Sequence, residues 1–422
     1  MSGNAHTRSP RLARRALLAL GALLFAGLAW LLAPALSAAP YAPPPVDFEQ
    51  ALPPVERVGT APAPRARIAA AGEPQRRAAV RHKGRVTYRT PVIEAPGRFD
   101  VAGIAGEMRP YELRARERGG SWSRWFEAGN GDPVWFGGAD ELQIRTRGWR
   151  PSGRIHYVNV SGDSTLADAA LTAARRAVSS AVIAAASLLG SQASAQPPKP
   201  AFITRRQWGA NGPDGCPPRR KPDRGKVRAA VVHHTVNRND YSEAEAPAMV
   251  LAICRFHRNG NKWDDIGYNA LVDRFGNVYQ GRAGGMVRPV VGAHAQGFNA
   301  VTTGVAVLGT HTALRASTAA VRGVARYIAW KLAVHNVPAT GKARLRSSGG
   351  PVSRYPRGAV VRTKRIVGHR RLGLTSCPGD KLNRQLRKVR KLTKRRMKRF
   401  ANAEPQPTPP PPPDEGSGAV RR

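Results

Sequence analysis

The sequence predicts two folded units of different class, a small all-β domain over residues 85–161 and an α/β domain over residues 201–400. Three observations carry this. Through the first stretch, short runs of alternating apolar and polar residues recur between glycine-rich breaks, the pattern of a small β-sandwich. Through the second, apolar strand-like runs interleave with segments of helical spacing, the order of an α/β fold. The chain has 422 residues, 41% of them hydrophobic, which suffices for real cores. At about 150 residues per domain, two to three domains are expected.

The elements follow in order. Arg8, Arg11, Arg14 and Arg15 precede an uncharged apolar run from Ala16 to Ala33, then Pro34 and the small residues Ala35, Ser37, Ala38 and Ala39. Residues 1–39 therefore read as a signal peptide. The other reading is an uncleaved N-terminal membrane anchor, because the run is close to the spanning minimum. Either way the rest of the chain is expected outside the cytoplasm, secreted or associated with the cell wall. Residues 40–84 are rich in Pro, Ala and Arg without periodicity and read as a disordered basic linker.

In the all-β stretch the strand-like runs are Arg85–Tyr88, Phe99–Ala102, Tyr111–Arg116, Trp122–Phe126, Pro133–Phe136, Leu142–Arg147 and Ile155–Val160. Breaks at Gly119-Gly120, Gly129-Asn130-Gly131 and Gly137-Gly138 separate several of them. Trp122, Trp125, Trp135 and Trp149 offer a sugar-binding platform, but ordinary core is the favoured reading. Residues 162–200 form an Ala-rich linker containing a helical segment.

In the α/β stretch, Arg228–Thr235 is an apolar strand ending in His233-His234, and Ala244–Arg258 is helical. Tyr268–Asp273 and Asn277–Gly281 form a hairpin. Val301–Leu308 is a strand, Ala319–His335 a helix, Arg365–His369 a short strand and Asp380–Phe400 a last helix. Residues 341–362 read as a basic surface insertion, and residues 401–422 as a Pro-rich disordered tail.

The formal net charge is +41, from 68 basic and 27 acidic residues. Such a chain seeks a polyanion: nucleic acid, an anionic membrane or an anionic wall polymer. Export argues against nucleic acid. Three cysteines exclude a disulfide-dense scaffold and a four-cysteine zinc ribbon.

Among ten histidines, His233 and His369 each end an apolar strand, and Cys377 follows eight residues after His369. Strand ends are where α/β sheets place their sites. Two imidazoles and a thiolate suit zinc, and three protein ligands leave a fourth position for water. Spacing alone makes this a weak signal.

The surrounding words strengthen it. Val231-Val232-His233-His234-Thr235, Trp263-Asp264-Asp265-Ile266-Gly267-Tyr268-Asn269, Gly292-Ala293-His294 with Asn299 and Gly304, and Gly368-His369 with Thr375-Ser376-Cys377-Pro378-Gly379-Asp380 stand in that order. Together with Phe202–Gly209 they resemble the motifs of zinc-dependent type-2 N-acetylmuramoyl-L-alanine amidases and peptidoglycan-recognition proteins, in the layout of exported actinobacterial members. The resemblance covers somewhat under half the chain. It implies an α/β amidase domain with a mixed sheet flanked by helices. It implies Zn2+ held by His233, His369 and Cys377, with Tyr268 and Thr375 assisting catalysis and Trp263, His294 and Asn299 lining the substrate groove. It implies peptidoglycan as substrate, cut between N-acetylmuramic acid and L-alanine. His234 is left to support or packing, and no obvious carboxylate base accompanies the metal motifs, so the general base is left open.

A non-catalytic peptidoglycan-binding module of the same fold is the second reading. The presence of all three ligands and Tyr268 favours the enzyme. Cys216 and Cys254 can form a disulfide in an exported protein, two buried free thiols being the alternative. Residues 364–399 carry 15 Lys/Arg against one acid, Asp380. This basic helix is expected to bind anionic wall polymer or membrane headgroups, and Asp380 to cap it.

Overall fold

The structure, a computed structural model, describes residues 45–61, 85–162, 199–212 and 214–401. The apolar N-terminal run, most of the linker segments and the Pro-rich tail lie outside the described residues. Among the described residues no helix is long and apolar enough to cross a membrane.

The N-terminal domain is all-β. Its strands are β1 (Val46–Ala51), β2 (Glu56–Ala61), β3 (Arg85–Arg89), β4 (Ile93–Ile104), β5 (Tyr111–Arg116), β6 (Phe126–Ala128), β7 (Val134–Arg147) and β8 (Arg154–Asn159). Hydrogen bonds join them in one sheet, ordered β1-β8-β4-β7-β3-β2, with β5 pairing β7 and β6 pairing β5. The separate sheets of a sandwich are therefore one sheet here. The cause is β7, whose 14 residues pair with β4, β5 and β3 along its length. Gly137-Gly138 lies inside β7 rather than ending a strand. Both residues have positive φ (76° and 101°), which glycine adopts without steric cost, so the strand bends and continues.

β1 and β2 correct the linker boundary. Residues 40–84 read as disordered, yet β1 pairs with β8 along all six residues and β2 pairs with β3. Phe48 of β1 stacks on Tyr157 of β8 with ring centroids 5.0 Å apart. Pairing with a strand a hundred residues away leaves no local trace in a Pro- and Arg-rich stretch. The tryptophans also divide. Trp135 is buried core, whereas Trp122 and Trp125 are half-buried beneath the guanidiniums of Arg114, Arg116 and Arg145, and Arg109 covers Trp149.

The C-terminal domain contains β9 (Phe202–Ile203), β10 (Ala229–His234), α1 (Ala246–Arg255), β11 (Ala270–Val272), β12 (Val278–Gln280), β13 (Thr302–Val307), α2 (Thr318–Val334), β14 (Lys342–Arg346), β15 (Val360–Lys364), β16 (Ile366–Gly368) and α3 (Asp380–Ala401). Its main sheet is ordered β16-β10-β13-β11-β12-β9. β10 runs parallel to β13 and β16, and the β11–β12 hairpin is antiparallel, so the sheet is mixed. The expected basic insertion is a hairpin of β14 and β15, whose alternate residues Ala343, Leu345 and Val361 are buried against Phe298 and Leu372.

Helices cover both faces of the sheet. Val321, Val324 and Ile328 of α2 and Leu382, Leu386 and Val389 of α3 pack on Val232, Val305 and Ile366. The opposite face carries α1, continued by a π-helical turn (Phe256–Gly260). Met249, Val250 and Ile253 of α1 meet the sheet residues Leu271 and Ala306, and the same apolar cluster includes Val101, Trp135 and Val158 of the all-β domain. The two domains thus share a core across α1. A two-point ion pair fastens the joint: Arg255 Nη2 and Nε donate to the Asp47 carboxylate at 2.9 and 3.1 Å. Asp380 is the first helical residue of α3 rather than a cap, and its carboxylate accepts from Arg370 Nη1 at 2.6 Å.

Candidate metal centre and cleft

Strand register builds the centre. β10 and β16 are parallel neighbours with Val232 opposite Gly368, so the next residues, His233 and His369, emerge side by side at the strand ends. Their rings lie 4.5 Å apart between centroids. The chain then turns through a short 3-10 helix (His369–Arg371), and the backbone N–H of Arg370 donates to the carbonyl of Cys377 at 2.8 Å. That bond folds the 372–379 loop back over the strand ends. Cys377 Sγ reaches within 3.7 Å of His233 Nδ1.

One donor atom from each of His233, His369 and Cys377 lies within 4.8 Å of the others, and all three residues are buried. Burial, reinforced by the neighbouring imidazoles, pushes His233 well below its ordinary pKa, and burial pushes His369 down to about 4. Both rings are therefore neutral, the form that binds a metal. Burial pushes the Cys377 thiol well above its ordinary value. A cation between the three would offset the cost of ionising it. His369 Nδ1 is buried without a hydrogen-bond partner among the described residues. The residues fit a divalent metal that prefers nitrogen and sulfur donors.

His234 faces the other way. Its Nδ1 accepts the backbone N–H of His311 at 3.1 Å, a supporting role. His294 lies on the metal side, its Nδ1 3.1 Å from His233 Nε2. Gly304 makes room for it, since a Cβ there would come within 2.4 Å of the His294 ring. Asn299 acts on the backbone: its Oδ1 accepts the N–H groups of His294 and Ala295 at 2.9 and 2.8 Å. Tyr268 packs beside His233, with ring centroids 5.2 Å apart. Asp265 anchors its segment by accepting from Arg205 and from the N–H groups of Ile266 and Ala283. Burial first, then the nearby Asp132 carboxylate, holds the Tyr268 phenol well above its usual range. Its hydroxyl is a donor at neutral pH.

A cleft of about 340 Å³ opens beside these residues, lined by Trp263, Tyr268, His294, Asn299, His369 and Asp132. Trp263 is half-buried and lies over His257 at 4.7 Å. Thr375 is elsewhere. It lines a second cavity of about 220 Å³ with Cys377. The expected site residues are thus gathered at one end of the sheet, but Tyr268 and Thr375 open onto different cavities. Cys216 and Cys254 form a disulfide.

Residues 223–380 match the sequence model of the N-acetylmuramoyl-L-alanine amidase family. The chain carries a domain of that family. Residues similar to this amidase-family domain occur in the N-acetylmuramoyl-L-alanine amidase of Sus scrofa, 32% identical over 196 residues, which are 44% of this chain and 27% of the pig protein. The chain therefore spans only about a quarter of that relative. Peptidoglycan-recognition protein SC2 of Drosophila melanogaster is 29% identical over 159 residues, 37% of this chain and 71% of the relative. Among solved structures, Drosophila peptidoglycan recognition protein SD is 20% identical with a TM-score of 0.35, covering 45% of this chain and 94% of its own. The amidase LysC of Clostridium intestinale is 18% identical with a TM-score of 0.32, covering 46% and 97%.

The amidase-family domain does not build its cleft alone. The turn between β6 and β7 of the all-β domain enters it. Tyr268 Oη donates to Asp132 Oδ1 at 2.6 Å. Asn130 Nδ2 donates to Thr375 Oγ1 at 3.0 Å, and Ser376 Oγ donates to Glu127. Asn261 Nδ2 donates to the carbonyl of Gly131 at 2.6 Å. Gly131, at φ 78°, packs so close that a Cβ would come within 2.7 Å of the Trp263 ring. Asp132 and Asn130 are the site residues that sequence reading misses. Their Gly129-Asn130-Gly131 context signals only a turn.

Proposed function

We propose that this chain is a zinc-dependent N-acetylmuramoyl-L-alanine amidase that cleaves the amide between the lactyl group of N-acetylmuramic acid and L-alanine in peptidoglycan. The observation that carries the reading is the His233–His369–Cys377 donor set beside Tyr268 in an open cleft. His233, His369 and Cys377 would hold the zinc, which when bound activates water and polarises a carbonyl. Tyr268 places its hydroxyl in the cleft beside His233. Trp263 and His294 line the cleft that would seat the glycan–peptide junction. Thr375, on the adjoining cavity, is assigned to holding the loop that carries Cys377, because its Oγ1 accepts the Cys377 N–H at 3.1 Å.

Binding without catalysis would not need a buried three-donor set, which favours the enzyme over a recognition module. Export fits this reading, and the Cys216–Cys254 disulfide supports an oxidising compartment. The basic face of α3 fits attachment to anionic wall polymer or headgroups. The test is digestion of purified muropeptides by the full chain, before chelation, after chelation and after zinc is restored. Release of free stem peptide that stops and returns with the metal is expected. Undiminished cleavage in chelator would overturn the zinc reading.

A further inference from the structure

The carboxylates within the amidase motifs are engaged elsewhere, Asp264 with Arg220, Asp265 with Arg205 and backbone N–H groups, and Asp380 with Arg370. Hydrolysis at neutral pH needs somewhere for the water proton to go. The fold supplies a further carboxylate from the other domain. Asp132 lies 136 residues before Tyr268 in sequence, and its Oδ1 accepts the Tyr268 hydroxyl at 2.6 Å. The carboxylate is largely buried, yet it lines the cleft together with Tyr268 and His369. His257 stands on its other side. The backbone N–H of Gly267 donates to His257 Nδ1 at 3.2 Å, which leaves the ring proton on Nε2. That Nε2 faces Asp132 Oδ1 at 3.3 Å, so the carboxylate lies between the His257 ring and the Tyr268 hydroxyl.

We infer that Asp132 is the proton acceptor of the amidase site, acting through Tyr268, and that the all-β domain is a permanent part of the catalytic unit. The inference rests on the amidase reading. In the reaction, the attacking water forms its C–O bond to the amide carbonyl carbon while its proton passes to Tyr268 Oη. The tyrosine passes its own proton to Asp132 in the same movement. When the C–N bond breaks, the proton returns by the same route to the departing L-alanine nitrogen. Tyr268 ends as it began, and one water is consumed per amide. Asp132 is a positioning and proton-holding residue, because only Tyr268 stands between it and the reacting atoms.

The packing distinguishes this from a detachable plug. The all-β domain shares an apolar core with α1 through Val101, Trp135 and Val158. Arg255–Asp47 and Asn261–Gly131 fasten the same joint at two further points. Opening such an interface would expose a buried core, so the loop is a fixed wall. A cleft of about 340 Å³ remains open in front of it.

The experiment uses the full chain, a soluble muramyl peptide, and D132N and D132E. Asn keeps the shape and the acceptor oxygen but cannot hold the proton. The expected result for D132N is a fall in kcat of about 100-fold or more. KM, bound zinc, and muropeptide affinity measured on chelated protein stay as in wild type, and D132E recovers part of the rate. A wild-type kcat in D132N overturns the inference. So does a rise in both rate and affinity, which would mark the loop as an inhibitory plug. Should D132N lose its fold or its zinc, D132S is read by the same criteria. Failure of the wild-type chain to release stem peptide would instead reject the amidase reading, whatever Asp132 does.

Discussion

Tyr268 Oη and Asp132 Oδ1 lie 2.6 Å apart, joining a hairpin of the amidase-family domain to a turn of the all-β domain. This bond ties the proposed chemistry to the domain joint. Removing the all-β domain, rather than cutting the chain after it, would leave Tyr268 without its acceptor.

Tyr268→Phe keeps the ring packed beside His233 and removes only the hydroxyl. Turnover is expected to fall on the order of 100–1000-fold, the cost of breaking the proton route to Asp132. Bound zinc should be unchanged. Steady-state kinetics with metal analysis on the same sample checks both. A Phe variant with wild-type turnover would remove Tyr268 from the reaction.

The Cys216–Cys254 disulfide closes a loop of 38 residues that contains β10. A loop of that length predicts a stabilisation of roughly 4 kcal/mol through the unfolded chain. Replacing both cysteines with Ala should lower the denaturant midpoint accordingly, without changing zinc content in protein that remains folded. Equal midpoints for the two proteins would show that the bond adds little.

The solvent face of α3 presents Arg387, Lys388, Lys391, Lys394, Arg395 and Lys398, while Leu382, Leu386 and Val389 hold it to the core. Changing those six cations to Gln should weaken pelleting with cell walls or anionic vesicles, and the loss should be largest at low salt, where charge is least screened. Hydrolysis of a small soluble muramyl peptide should not change. Wall binding that ignores both salt and the substitutions would assign attachment to another surface.

The sequence carries the local part of this architecture and loses the rest in identifiable ways. β10, α1, β13, α2, β16 and α3 fall within a few residues of their expected positions, because each has a strong period and clear ends. His233, His369 and Cys377 are legible because the words around them are specific. β1 and β2 are hidden because six-residue strands in a Pro- and Arg-rich stretch declare themselves only through partners elsewhere in the chain. The two strands expected on either side of Gly137-Gly138 are one, because positive φ at both glycines bends β7 without ending it. Asp132 is the consequential omission. Nothing near residue 132 announces residue 268, and only the shared core around α1 brings them together.

The central claim is that a metal held by His233, His369 and Cys377 carries the chemistry. Cys377→Ser tests it most directly, since a neutral hydroxyl is a poor substitute for the thiolate. Bound zinc, amide cleavage and muropeptide affinity are measured on one preparation. The account predicts that zinc and cleavage fall together while muropeptide affinity survives, because Trp263 and Tyr268 line the cleft without that sulfur. Full zinc and full cleavage in the Ser variant would contradict the ligand set and the mechanism built on it.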